Sequence, residues 1–212
     1  MGNASLRRVP RQERGERRIA AILDAAEVVI AEVGYEATTT NAIAARAHTS
    51  IGSLYQFFPN KEAIVRALSD RYLAELRVLF DRVFAPDTYA LPLPALLDAM
   101  IDPLAAFYTR HAGFQPLFVA PGAPACAPGP AKGIDGEVIA RVDAMLAVRA
   151  PDLDGTARRL YAMVGTSIVE GLLPLTIAPG GEPSPRPEVI AEIKRALGAY
   201  IERTLGPGAG GP

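Results

Sequence analysis

The sequence predicts an all-α protein in which a small N-terminal three-helix unit precedes a larger helical body, with about nine helices in all. Apolar residues recur at spacings of three and four along most of the chain, beginning with a stripe from Ile19 to Val33. Sustained alternation of apolar and polar residues, which would indicate strands, is missing. Half of the residues are hydrophobic and 21% are charged, so the chain can bury a packed core.

Capping residues, glycines and prolines predict where the helices begin and end. The first helix stops at Gly34, two short helices begin after Thr39 or Thr40 and after Ser50, and a long helix begins after Asn60. From there on we expect helices over residues 61–84, 94–110, 114–118, 134–148, 154–177 and 187–205.

Charge is distributed unevenly along the 212 residues, whose net charge is −1. Residues 1–18 hold six arginines and two glutamates, whereas the rest of the chain has 16 basic and 21 acidic side chains. A basic segment attached to an acidic body predicts a polyanionic partner at one end. Asp24, Glu27 and Glu32 interrupt the apolar run that follows this segment, so we expect neither a signal peptide nor a membrane partner.

Residue types that support metal, disulfide or catalytic chemistry are scarce. Cys126 is the only cysteine, so no disulfide forms within the chain, and two histidines give no readable metal site, so we expect no metal and no cofactor. We do not expect an enzyme, because no Ser-His-Asp order, phosphate loop or nucleotide-binding fingerprint occurs. Cys126 lies in a proline- and glycine-rich segment, residues 120–133, which fits either a gate or a plain surface loop.

The two short helices have the dimensions of a helix-turn-helix, with "AHTS" as the turn. The second helix, "SIGSLYQ", directs one apolar residue, Leu54, to the core and leaves a polar face outside. Gly52 would let another surface approach that face. A helix in the DNA major groove needs short donors and acceptors near its N-terminus, which this segment supplies. The alternative is a solvated connecting helix.

The residues expected to contact DNA fall into three groups. Base edges would be contacted by Ile51, Ser53 and Gln56, with Gly52 allowing the approach. Phosphates would be contacted by Thr39, Thr40, His48, Ser50, Tyr55 and Lys61. Arg7, Arg8 and Arg11 would add sequence-independent attraction or reach a minor groove. For Ser53 and Gln56 the alternative is a contact to phosphate or water. For Tyr55 the alternative is a packed aromatic, for Lys61 a solvated charge, for His48 a tolerated turn residue, and for the arginines a disordered tail.

The stretch "GYEATTTNAIAARAHTSIGSLYQFFPNKEAI", preceded by "RIAAILDAAEVVIAEV", resembles the DNA-binding domain of the TetR family of bacterial transcriptional repressors. The resemblance covers residues 17–66 and rests on Gly34-Tyr35, Thr39-Thr40, Ile43-Ala44, the run 52–58 and Asn60-Lys61-Glu62. It implies a homodimer whose last two helices form the interface, and a body that binds a small molecule. His48 departs from the family pattern, because that turn position usually holds a glycine with φ > 0.

In the body, large apolar side chains with a few polar groups could line an effector pocket, although for each residue ordinary helical core is the alternative. The candidates are Met100, Leu104, Phe107, Tyr108, His111, Phe114, Gln115, Phe118, Met145, Tyr161, Met163 and Glu170. The apolar faces of the last two helices predict a dimer seam, with packing inside one chain as the alternative. Its candidates are Leu160, Val164, Ile168, Gly171, Leu172, Ile190, Ile193, Leu197, Tyr200 and Ile201.

Together these expectations divide the chain into four parts: a basic disordered arm (1–16), a helix-turn-helix DNA-binding domain (17–66), an effector-binding and dimerisation domain (67–206) and a disordered tail (207–212). The expected function is sequence-specific repression at operator DNA in the cytoplasm, at the nucleoid, released by a small hydrophobic effector. An activator or effector-independent regulator remains an alternative, as does a helical ligand carrier or enzyme with a vestigial DNA-binding head.

Overall fold

A computed structural model describes residues 11–118, 130–176 and 186–205. Over these ranges the chain forms nine α-helices and two short 3-10 helices, without a strand, which confirms the all-α prediction. Arg7, Arg8, Cys126 and the predicted tail lie outside the described residues.

The N-terminal head consists of helices α1 (Arg11–Ala37), α2 (Thr40–Arg46) and α3 (Ile51–Tyr55). The helical path of α1 is broken at Gly34, whose φ of 77° and ψ of 169° confirm the predicted glycine stop. The expectation of a disordered arm through residue 16 was wrong for residues 11–16, which already belong to α1. The Glu13–Arg17 ion pair, one helical turn apart at 2.5 Å, supports this early start.

Helix α4 (Lys61–Val83) connects the head to the body. It begins as predicted after Asn60, whose side chain accepts a hydrogen bond from the amide of Ala63 at 2.8 Å. Its 23 residues span about 35 Å at the usual rise of a helix. The proposed domain boundary between residues 66 and 67 therefore falls inside one continuous helix.

The body comprises α5 (Leu93–Arg110), α6 (Phe114–Phe118), α7 (Pro130–Arg149), α8 (Gly155–Leu172) and α9 (Pro187–Leu205), with 3-10 helices at Pro86–Ala90 and Leu173–Thr176. Two predicted boundaries were wrong. Helix α7 begins at Pro130 rather than residue 134, because a proline fits the first turn, where its missing N–H is not needed. The helix expected to reach residue 177 changes to 3-10 geometry at Leu173, beside Pro174, which cannot donate a helical hydrogen bond.

One continuous hydrophobic core runs through the described residues from α1 to α9. Helix α4 serves both ends of it: Ile64 and Leu68 are fully buried in the chain, and Leu76 and Phe80 pack in the body. A rigid connecting helix that shares its core with both parts can transmit a displacement from one to the other.

Candidate nucleic-acid interface and cavity

Both short helices of the head are capped by hydroxyl side chains, as predicted. The Thr39 hydroxyl accepts a hydrogen bond from the amide of Ala42, and the Ser50 hydroxyl accepts one from the amide of Ser53, each at 3.1 Å. Each bond satisfies an amide that has no partner within its own helix. The oxygens of Thr39 and Ser50 are therefore used in fixing the helix starts.

The turn between α2 and α3 closes with a Schellman motif. The amide of Thr49 donates to the carbonyl of Ala44 at 3.0 Å, and the amide of His48 donates to that of Ala45 at 3.2 Å. His48 takes the left-handed position of this motif, with φ of 49°. The sequence expectation that this position needs a positive φ is confirmed, and histidine tolerates it at a cost of about 1 kcal/mol.

The outer face of α3 is open and polar. Leu54 is fully buried and anchors the helix, whereas Gln56 is exposed and half of the Tyr55 side chain remains accessible. A Cβ placed on Gly52 would meet nothing within 4 Å, so packing within the chain does not explain the glycine. Ser53 is partly exposed. This face can accept a partner that approaches the backbone closely.

Tyr55 and Thr40 join α3 to α2 on the same exposed side. The phenol Oη lies 3.2 Å from the Thr40 Oγ1, and either group can donate. Two adjacent hydroxyls on a solvent face are suitable donors for phosphate oxygens. Ile51, by contrast, is partly buried against the core.

Lys61 has a structural role that the sequence expectation missed. Its ammonium donates to the carbonyl of Tyr35 at 2.9 Å and to that of Glu36 at 3.4 Å. It also lies 4.1 Å above the centre of the Tyr35 ring. Lys61 thus satisfies carbonyls at the end of α1, and a phosphate contact by the same ammonium stays a prediction.

The body contains a largely apolar, partly open cavity of about 380 Å³. Side chains from α4 to α9 line it, and Leu76 and Phe80 of α4 form one wall together with Phe84, which directly follows that helix. Eight of the predicted pocket residues line this space: Met100, Leu104, Tyr108, Phe114, Phe118, Met145, Tyr161 and Glu170. A cavity of this size and character is suited to a small organic molecule.

Four predicted pocket residues lie elsewhere, so those expectations were wrong. Met163 points outward from α8 and is 47% exposed. Phe107 packs behind the cavity, with its ring centre 4.6 Å from that of His111. His111 takes part in an ion-pair cluster, and Gln115 is only partly buried outside the lining. The sequence had identified α5, α6, α7 and α8 as lining helices and missed α4 and α9, and it did not show which face of each helix turns inward.

That ion-pair cluster joins the head to the body. His111 Nδ1 lies 3.0 Å from Oε1 of Glu27 on α1, and Nε2 lies 2.9 Å from Oε2 of Glu75 on α4. Arg71 on α4 pairs with Glu27 at 2.9 Å and with Asp24 at 2.6 Å. We call Glu27, Arg71, Tyr72, Glu75 and His111 the junction.

The junction also touches the cavity wall. The Tyr72 ring packs edge-on against Phe114 and Phe118, with centre separations of 5.6 and 6.2 Å, and both phenylalanines line the cavity. Burial raises the pKa of Tyr72 above its ordinary value, and the charge of Glu27 raises it further, so the phenol stays neutral. A displaced Phe114 or Phe118 would therefore press on the residue next to Glu27 and His111.

Gly113 permits the close contact between α1 and the start of α6. A Cβ at this position would lie 2.9 Å from the Tyr72 Oη and 3.0 Å from the carbonyl oxygen of Glu27. The first distance is shorter than real Cβ contacts and the second is tighter than most of them, so a side chain at this position requires its neighbours to move. Sequence reasoning gave no sign of this requirement, which depends on contacts between residues far apart in the chain.

The predicted dimer-seam residues divide into two groups. Ile193 and Leu197 are 0% and 8% exposed, so α9 buries these two side chains within the chain and the prediction was wrong for them. Tyr200 and Ile201 line the cavity but remain partly exposed, so a seam contact by them stays a prediction. The others keep some exposure: Leu160, Val164, Ile168, Gly171, Leu172 and Ile190.

Comparison with known proteins identifies the family. Residues 22–68 match the description "Bacterial regulatory proteins, tetR family", and residues 92–201, more than half of the chain, match "Tetracyclin repressor-like, C-terminal domain". The chain belongs to the tetR family of bacterial regulatory proteins. It is a TetR-family transcriptional regulator with a helix-turn-helix DNA-binding domain, which confirms the resemblance seen in residues 17–66.

Solved structures of the TetR family share this fold. A TetR-family regulator from Streptomyces coelicolor is 27% identical, with a TM-score of 0.55, over 89% of this chain and 99% of that chain. A TetR-like regulator from Rhodococcus sp. RHA1 is 20% identical, with a TM-score of 0.68, over 93% and 98%. The SmeT–triclosan complex is 22% identical, with a TM-score of 0.65, over 91% and 94%. No curated protein matches the chain.

Among the helices of residues 11–118, 130–176 and 186–205, none combines the length and the apolar character that crossing a membrane requires. Within the same ranges, no group of three or more histidine, cysteine, aspartate or glutamate side chains is placed to hold a metal ion.

Proposed function

We propose that the protein is a homodimeric repressor that binds operator DNA through α3 and is released when a small, mainly apolar effector occupies the cavity. The observation that carries the proposal is the shared wall: Phe114 and Phe118 line the cavity and also pack on Tyr72 of the junction. Occupancy of the cavity and the position of α1 are therefore mechanically linked.

The DNA-binding part rests on the open face of α3. Ser53 and Gln56 offer short polar groups for base edges, and the Thr40–Tyr55 hydroxyl pair is positioned for the phosphate backbone. Gly52 would allow the helix backbone to approach the groove closely. The proposed site of action is the bacterial cytoplasm, where the chromosome lies.

The dimer would use the outward faces of the last two helices. On α8, Leu160 and Met163 are 49% and 47% exposed, and Gly171 on the same helix is also exposed. Ala196 and Ala199 of α9 are exposed small residues that permit close approach of another helix. A two-fold seam of this kind would hold two α3 helices at a fixed separation, as two operator half-sites require.

Release would follow from reciprocal coupling. If effector and operator favour different separations of the two heads, each weakens the affinity for the other by the same factor. The junction is the proposed place of transmission, because it joins α1 and α4 to the α5–α6 turn through His111.

The DNA-binding proposal can be tested by selecting operator sequences from random DNA and measuring affinity by fluorescence anisotropy. Thr40→Val with Tyr55→Phe should weaken operator binding about tenfold or more, since two phosphate donors are lost. Thr109→Val is the matched control, because the Thr109 hydroxyl bonds only to the Ala105 carbonyl inside α5. An unchanged operator affinity in the double variant would contradict the placement.

Reporter expression in cells distinguishes a repressor from an activator. Reporter expression from the selected operator should rise when the gene is deleted, if the protein represses. A fall in expression would identify an activator, and a helical enzyme or carrier with a vestigial head would leave reporter expression unchanged.

A further inference from the structure

We propose that the contact between head and body contains a proton-binding site, in which protonated His111 joins Glu27 of α1 to Glu75 of α4. This site goes beyond the proposed function, which treats the junction only as a place where displacements are transmitted. Its effect on operator release rests on the proposed function, whereas the binding of the proton does not.

His111 lies between two carboxylates, which accept hydrogen bonds and, while ionised, cannot donate one. Its Nδ1 is 3.0 Å from Oε1 of Glu27, and its Nε2 is 2.9 Å from Oε2 of Glu75. A neutral imidazole carries a hydrogen on only one ring nitrogen, so its other nitrogen would face a carboxylate with no hydrogen between them. An imidazolium donates to both carboxylates. Both contacts therefore form together only when the group holds one additional proton.

The additional proton belongs on the imidazole rather than on a carboxyl group. Glu27 also accepts a charge-assisted bond from Arg71 at 2.9 Å, which uses its ionised form. The Glu75 side chain is 41% exposed, so water can solvate its charge. Asp24 pairs with Arg71 at 2.6 Å, so three carboxylates lie around one guanidinium. A positive charge on the imidazole reduces this excess of negative charge.

The aromatic neighbours of His111 add no charge. The ring centres of Tyr72 and Phe107 lie 5.0 and 4.6 Å from that of His111. Burial raises the pKa of Tyr72, so its phenol stays neutral. Helix α6 contains no ionisable residue, and Arg110, which precedes His111 in the chain, is exposed. His111 itself is 7% exposed, so water does not readily replace a contact that it loses.

Loss of the proton breaks one of the two bonds. Neutral His111 has one N–H left, so it keeps its bond to one carboxylate and turns a bare nitrogen to the other. Because Glu27 belongs to α1 and Glu75 to α4, the proton decides whether His111 holds both helices or only one of them. Imidazole is the side chain that normally exchanges a proton near neutral pH. The junction therefore responds to pH.

Long-range proton–nitrogen NMR spectra of the full-length protein report the protonation of each imidazole nitrogen. The chain has two histidines; His48 is exposed in the head and serves as internal reference, and His48→Asn identifies its signals. Between about pH 5 and 8, the range in which imidazole titrates, His111 should change from two protonated nitrogens to one. The Gly113 amide signal should shift with the same midpoint. One protonated nitrogen at His111 throughout the range overturns the inference.

Glu75→Gln tests the need for the proton without removing the bridge. The amide that this substitution introduces can donate to a bare Nε2, so both contacts can form with neutral imidazole. The midpoint for His111 should therefore fall by about one pH unit or more. Glu137→Gln is the matched control, because Glu137 also pairs with α4, through Arg77, and its side chain is likewise 41% exposed. Thermal melting checks that both variants fold, and an unchanged midpoint in Glu75→Gln contradicts the bridge.

A separate measurement links the proton to operator release. Anisotropy gives the factor by which a small apolar probe, selected by thermal-shift screening, weakens operator binding. This factor should fall about threefold as the pH rises through the His111 midpoint, because a bridge with one bond couples head and body less strongly. If His111 titrates as described and the factor does not follow, the proton site stands and release through the junction fails. If His111 keeps one protonated nitrogen throughout, the proton site fails whatever the probe does to operator binding.

Discussion

The outer face of α3 and the cavity of the body both lack a partner within the chain, but they are built in opposite ways. The α3 face is polar and open, and its side chains come from one segment, residues 50–56. The cavity is largely apolar and only partly open, and its lining comes from helices α4 to α9 and the 3-10 helix at Leu173–Thr176. The first surface fits a large polyanion that approaches from outside, and the second fits a small molecule that must be surrounded.

Because of this difference, the α3 face and the cavity respond differently when neighbouring helices move. The α3 face depends on local hydrogen bonds, so it can keep its shape while α1 and α4 move as supports. The cavity depends on packing between distant segments, so a molecule inside it must shift some of those segments. At the junction, the packed helices of the body contact the head, whose shape depends on local hydrogen bonds.

The largest effect is expected at Gly113. Gly113→Ala places a Cβ against the Tyr72 hydroxyl and the Glu27 carbonyl, and should lower the free energy of unfolding by about 2 kcal/mol through overpacking. Chemical denaturation measures this change in the free energy of unfolding. Gly136→Ala in α7 is the control, because a Cβ there meets nothing within 4 Å and should not destabilise. If Gly113→Ala is as stable as wild type, the contact between α1 and α6 is not as tight as described.

A substitution in the cavity should instead raise the free energy of unfolding. Thr166→Val removes a buried hydroxyl without a partner and should raise the free energy of unfolding of the unliganded protein by about 1 kcal/mol. Thr204→Val serves as the control, because its hydroxyl bonds to the Tyr200 carbonyl and its loss should not stabilise. Destabilisation by Thr166→Val would show that the hydroxyl already has a partner in the unliganded state.

On the α3 face, stability and function should change in opposite directions. Gly52→Ala should stabilise the protein by up to about 1 kcal/mol, since alanine favours a helix. It should weaken operator binding about fivefold, because the added methyl stands on the face that approaches DNA. Gly155→Ala, also in open space but at the start of α8, should leave operator affinity unchanged. Unchanged affinity in Gly52→Ala would argue against close approach of α3.

The smallest effect is expected in the turn. His48→Gly relieves the left-handed backbone conformation but makes the unfolded chain more flexible, so the net gain should be only about 0.5 kcal/mol. His48→Val should destabilise, because a branched side chain rarely adopts positive φ. Thermal melts of the two variants against wild type measure both changes, and a stable His48→Val would contradict the assigned turn geometry.

Features that depend on neighbouring residues were predictable from the sequence, whereas features that depend on distant contacts were not. The caps Thr39, Ser50 and Asn60 and the positive φ at His48 were predictable, because each depends on residues within one or two turns. His111 was assigned to the pocket and instead joins Glu27 and Glu75, which are 84 and 36 residues away in the chain. No local pattern carries that information.

For the cavity, the sequence indicated some of the lining helices but not which face of each helix lines it. The large apolar side chains identified α5, α6, α7 and α8 as its walls, but could not say that Phe107 and Met163 face away from it. The α4 wall was missed, although Leu76, Phe80 and Phe84 follow one another at spacings of four and could have been recognised as one face. Which faces meet is decided by how α4 to α9 pack together, and that depends on all of them at once.

The most direct test of the account is reciprocal coupling between cavity and operator. Titration calorimetry gives the affinity of a small apolar probe, selected by thermal-shift screening, for the free protein and for the operator-bound protein, and anisotropy gives operator affinity with and without saturating probe. The account predicts that both affinities fall by the same factor, about fivefold or more. Probe affinity that is the same with and without operator would contradict the claim that the cavity controls DNA binding.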